Sequence, residues 1–88
     1  MGSLLATEYL LDAQRERAGA EAVVLFDGGE LLASSGALGA EPGALLERDG
    51  DVYTHRLSLD GRSMVLASLG ARVKSVRVVE EALARILA

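Results

Sequence analysis

Between Gly19 and Gly36 the chain runs Ala22-Val23-Val24-Leu25-Phe26, then Asp27-Gly28-Gly29, then Glu30-Leu31-Leu32-Ala33. Two short apolar runs on either side of an Asp-Gly-Gly turn predict a tight β-hairpin, with strands over 21–27 and 30–35. Their apolar residues are consecutive rather than alternating. Both faces of the hairpin are therefore expected to be covered, which places it in the middle of a sheet. A second hairpin is predicted over 52–59 and 62–69, joined by Asp60-Gly61. A two-residue loop sets Leu57 opposite Met64, His55 opposite Leu66 and Tyr53 opposite Ser68. That largely apolar face is expected to lie against helices, while Val52, Thr54, Arg56, Val65, Ala67 and Leu69 make the other face.

Helical spacing brackets these hairpins. Ser3 is a suitable N-cap for a helix ending near Ala18, with Gly19 as its stop. Leu4, Leu5, Leu10 and Leu11, with Ala6, Ala13 and Ala18, are read as its buried side, and Glu8, Asp12, Gln14, Arg15, Glu16 and Arg17 as solvated. A closing helix is predicted over 72–87, with Val73, Val76, Val79, Leu83 and Ile86 as its apolar stripe. The connection over 36–43 holds three glycines and the only proline, Pro42. Residues 44–48 read as a short strand and Asp49-Gly50 as a turn. The predicted fold is α+β in one domain spanning 1–88. It is a two-layer sandwich in which an antiparallel sheet of four to five strands carries the N- and C-terminal helices on one face.

Composition narrows the function. Eighty-eight residues bury only roughly 60–65% of their unfolded surface, so association with other chains would add stability. A net charge of −4 argues against nucleic acid, which calls for a dense cationic surface. No run approaches the ~20 apolar residues of a membrane span. No basic stretch precedes an apolar one as in a secretory signal, and there is no cysteine, so a cytoplasmic protein is expected. Arg supplies eight of the nine basic residues, and Ala, Gly and Leu are abundant, a bias typical of GC-rich bacterial genes.

The motifs of catalysis are missing from the sequence. It holds no phosphate-binding Gly-x4-Gly-Lys-Ser/Thr loop, no Gly-x-Ser-x-Gly elbow and no thiol. His55 is the lone histidine and its alternation sets it beside Leu57, as a packed side chain rather than a ligand. Asp27, Asp49, Asp51 and Asp60 sit at turns, where Asp suits the backbone. No enzyme, cofactor or metal is expected. One charge pattern stands out: Arg72, Lys74 and Arg77 crowd the start of the last predicted helix, where the dipole favours anions. With Arg62 and Arg56 expected nearby, they form a candidate contact for an acidic partner.

Three segments resemble the roadblock/dynein light-chain family, in particular its bacterial members that act with Ras-like GTPases. They are Gly19 to Ser35, similar to the family's first hairpin; Val52 to Leu69, similar to its closing hairpin; and Leu69-Gly70-Ala71-Arg72-Val73, similar to its approach to the last helix. The family's central helix, between its second and third strands, has no counterpart in the eight residues of 36–43. The resemblance implies a roadblock/profilin-like fold. It also implies a homo-oligomeric adaptor that regulates or recruits a small Ras-like GTPase in polarity, motility or signalling. Without a central helix, the second sheet face is expected to be bare and apolar, an association surface. The self-association residues are expected to be Leu45, Leu46, Val52, Thr54, Arg56 and Val65. Those expected to meet the partner are Arg62, Arg72, Lys74 and Arg77. The alternatives are a small PAS- or GAF-like sensory module, which needs an enclosed pocket, and a purely structural oligomerisation domain.

Overall fold

The computed structural model describes residues 2–36, 51–59 and 61–87. Helix α1 (Gly2–Ala18) leads into β1 (Ala22–Asp27) and β2 (Glu30–Gly36). Strands β3 (Val52–Leu59) and β4 (Arg62–Leu69) follow, and α2 (Val76–Ile86) closes. The strands form one antiparallel sheet in the order β2-β1-β4-β3. The strand expected over 44–48 and the connection over 37–43, where the family's central helix was expected to have no counterpart, lie outside the described residues.

The second hairpin has the expected register, fixed by its two-residue turn, and the first also closes on a two-residue turn. Asp27 pairs with Glu30 across Gly28 and Gly29, both at positive φ. Leu57 pairs with Met64, His55 with Leu66 and Tyr53 with Ser68. The hydrophobic run of β1 has its cause in position: the strand lies between β2 and β4, and Ala22 to Phe26 are all buried. Its partner β2 departs from expectation. It is an edge of the described sheet, with Glu30 and Leu31 exposed. A bulge leaves Leu32 as the extra residue, since Leu25 pairs with Ala33 and Phe26 with Leu31.

Both helices lie on one sheet face, α1 over β2 and β1 and α2 over β3, and they touch each other. Between them and the sheet sit Leu11, Val23, Leu25, Leu57, Met64, Leu66, Val79 and Leu83, each at most 1% exposed. At about 1.5–3 kcal/mol per fully buried large apolar side chain, this layer is the main source of stability.

Helix α1 is oriented differently from the reading of its apolar residues. Leu4 and Leu5 face solvent, as does Ala13, whereas Thr7 and Gln14 are buried beside Leu11. Leu and Ala lie all around this helix, so no apolar stripe dictates its inner side. Polar links to β2 do so instead: the Ser35 hydroxyl donates to Asp12 Oδ1 and accepts from Arg15 Nε at 3.0 Å.

Helix α2 starts at Val76, four residues later than expected. Residues 71–75 form a non-helical link in which Val73 is buried as an anchor, and Ser75 occupies the N-cap position. Arg72 and Lys74 therefore precede the helix, and only Arg77 sits in its first turn. The expected conflict with the helix dipole shrinks to that one residue.

The second sheet face is not bare. Ala22, Val24, Phe26 and Ala67 are at most 2% exposed within the single chain and Leu69 is 6% exposed, forming a second cluster with half-buried Val52 and Val65 at its margin. The chain has already removed this apolar surface from water. Among the described residues the exposed patch expected there is absent.

Candidate functional site

The residues expected to mediate self-association come together where the structure describes them. Alternation along β3 puts Val52, Thr54 and Arg56 on the face turned away from the helices. Val65 lies on the same face directly across from Arg56. Thr54 and Arg56 are exposed, whereas Val52 and Val65 are half-buried at the rim of the second cluster. Strand β3 is an edge among the described residues, paired only with β4. Thr54, Arg56 and Ser58 line it with polar groups. Leu45 and Leu46 lie outside the described residues.

The basic residues expected to meet a partner do not all converge. Arg62 opens β4 and is paired with Asp27, at the hairpin end of the sheet. Arg72 lies beyond the other end of that strand, about 23 Å away by the rise of seven residues. Its guanidinium stacks over the Tyr53 ring, 5.1 Å from the centroid, on the helix side of the sheet. Arg56 projects from the opposite face. Arg72, Lys74 and Arg77 remain as a local group within six residues, with Arg77 Nε 3.7 Å from Glu81 one turn on. The expected cluster of five thus reduces to three, because strand length and sheet alternation separate the others.

The stacking of Arg72 on Tyr53 was not anticipated from the sequence, although the register held its signal. Val52 pairs with Leu69, and the Gly70 N–H donates to the Asp51 carbonyl at 2.8 Å. Any side chain just after Gly70 is thereby brought over the start of β3. The ion pair of Arg62 with Asp27 likewise follows from two turns lying at one end of the sheet.

Beside this stack, His55 is half-buried and its Nε2 is enclosed without a partner. Burial, and then the positive charge of Arg72, lower its pKa from 6.5. The folded chain thus favours neutral imidazole, while the unfolded chain binds a proton near pH 6.5. The contribution is fully present above that pH and is lost as pH falls toward the lower folded pKa. The denaturation midpoint is expected to drop between pH 7.5 and 5.5 in the native sequence, and the same pH step should change it less in His55→Gln.

Grooves lie at two places among the described residues. One, of about 340 Å³, is lined by Leu5, Glu8, Tyr9, Asp12 and Ser34, and the other, of about 310 Å³, by Ser58, Leu59, Glu80, Glu81 and Ala84. Each lies at a seam between a helix and an edge strand, and neither is the enclosed chamber of a sensory module. Among the described residues no group of His, Asp or Glu is arranged to hold a metal ion. No described helix is long and apolar enough to cross a membrane.

The four-stranded antiparallel sheet with both helices on one face is an α+β fold of roadblock type. Two solved structures share it. MglB of Myxococcus xanthus superposes with a TM-score of 0.68 at 15% identity, over 96% of this chain and 89% of that one. The gliding protein MglB of Thermus thermophilus gives a TM-score of 0.69 at 17% identity, over 98% of this chain and 91% of that one. At these identities the likeness is one of fold. No protein-family profile and no curated protein sequence matches the chain.

Proposed function

We propose that this chain is a non-enzymatic, homo-oligomeric adaptor that binds a small Ras-like GTPase and alters its nucleotide cycle or its location, in the cytoplasm of a bacterium. The observation that carries this is the MglB fold, matched over nearly the whole of this chain and about nine-tenths of each MglB chain. One of those proteins is named for gliding, in keeping with the motility and polarity roles implied by the roadblock resemblance. The chain's own surface supports association rather than chemistry: a strand edge that is unpaired among the described residues, a polar margin and a stacked arginine.

Self-association is assigned to β3 and the margin of its outer face, where Val52 and Val65 meet Thr54 and Arg56. Since the apolar cluster beneath is already buried, the edge and its margin carry the contact. Arg72, Lys74 and Arg77 are assigned to the partner, and Arg62, held by Asp27 at the far end, to a separate contact. Light scattering on a sizing column tests the first assignment. The native chain is expected to elute as a dimer or larger closed species and Val65→Arg as a monomer with an unchanged far-UV spectrum. A native monomer would remove the homo-oligomeric half of the proposal.

A further inference from the structure

We propose that the outer face of α1 binds the basic approach to α2 of a second copy of this chain, a head-to-tail contact that is separate from the β3 margin and competes with the GTPase for Lys74 and Arg77. The first observation is the inverted pattern of α1. This helix turns Thr7 and Gln14 into the protein while Leu5 and Tyr9, 57% and 67% exposed, face water. Gln14 Oε1 is even buried without a hydrogen-bond partner. Exchanging apolar for polar positions in this way costs the isolated chain stability. The cost is recovered if the outer face is covered by something else.

The second observation is charge. At 100° per residue, Leu5 and Tyr9 share an arc of about 100° with Glu8, Asp12 and Glu16, and no cation falls within it. Arg15 lies outside this arc and is held by Ser35, and Arg17 projects from another side of the helix. The same arc forms one wall of the groove that Ser34 closes at the β2 edge. An apolar pair ringed by carboxylates calls for a partner that offers an apolar side chain flanked by cations.

The chain itself offers one. Large exposed apolar side chains among the described residues are few: Leu4, Leu5 and Tyr9 on α1, Leu31 on β2, and Val78 on α2. Val78 is 45% exposed and directly follows Arg77 in the first turn of α2, and Lys74 lies in the link that leads into that turn. Among the described residues Arg77 pairs with Glu81 alone, in a solvent-exposed pair of the kind worth little, so it is readily recruited elsewhere. Val78 with Lys74 and Arg77 thus complements Leu5 and Tyr9 with Glu8 and Glu16. Two different patches meet, so the contact is heterologous and does not close on itself. It adds copies as concentration rises.

Sedimentation of the native chain and of charge-reversed variants from micromolar to millimolar concentration tests this. The native mass is expected to climb with concentration beyond the species present at the dilute end. Association should weaken by about tenfold on moving from low to high salt, since surface charges are screened. Glu8→Lys/Glu16→Lys and Lys74→Glu/Arg77→Glu, each checked for native melting, are each expected to hold a constant mass. An equimolar mixture of the two should restore the climb. A flat native mass, growth that survives either reversal, or a mixture that fails to restore it would overturn the proposal. The β3 assignment is scored separately, by the effect of Val65→Arg on mass at the dilute end.

Discussion

Gly36→Ala is expected to destabilise the protein by about 3 kcal/mol and to lower its Tm by roughly 12–24 °C. Gly36 ends β2 with φ at +97°, a conformation that L-residues rarely adopt. A Cβ built there would overlap the Glu21 carbonyl oxygen and sit 2.6 Å from Arg15 Cδ. The first clash is with backbone and cannot be relieved by a rotamer change. The second pushes on the arginine that donates to Ser35 and helps seat α1. Gly61→Ala is the control, since φ there is +78° but nothing lies within 4 Å of the added atom. It carries the conformational penalty alone, about 1 kcal/mol. Thermal melts of the two variants therefore separate steric clash from backbone strain, and a Gly36→Ala loss no larger than that of Gly61→Ala would refute the close packing of Gly36 on Glu21.

Leu66→Ala is expected to cost about 3–4 kcal/mol, within the range of buried Leu truncations. Leu66 is fully buried in the inner strand β4, paired with Leu25 on one side and His55 on the other, beneath the two helices. Neighbours on a sheet cannot collapse into the gap, because their backbones are held by the ladder. A chain of this length has only about 4–13 kcal/mol of total stability, so the variant should lie close to its unfolding transition at physiological temperature. Urea denaturation followed by far-UV circular dichroism gives the value. A loss below about 1 kcal/mol, outside the range for a truncated core leucine, would mean that the layer between sheet and helices is not the main core.

What was legible in the sequence was whatever short-range chemistry decides. Asp27-Gly28-Gly29 and Gly61 each specify a tight turn. Once a turn is specified, alternation assigns every side chain of both strands to a face, including Tyr53, His55 and Leu57 under the helices. The α+β plan and the roadblock likeness follow from that. The orientation of α1 was not legible, because Leu and Ala surround it and its inner side is chosen by hydrogen bonds that tie Asp12 and Arg15 to Ser35, a residue far along the chain. The delayed start of α2 was hidden because Val73 fits the helical spacing yet is buried from a non-helical link. The placement of the candidate residues was legible in part. Val52, Thr54, Arg56 and Val65 converge because strand register brings them together. Arg62 and Arg72 looked close in the sequence but lie at opposite ends of one strand.

The central claim is that this chain recognises a small Ras-like GTPase. Its most direct test is calorimetric titration of the purified chain into the Ras-like GTPases of its own organism, each loaded with GDP or with a non-hydrolysable GTP analogue. The account predicts saturable binding to at least one of them, stronger in one nucleotide state and weakened by Arg72→Glu/Lys74→Glu. The absence of binding to every such GTPase in both nucleotide states would contradict it.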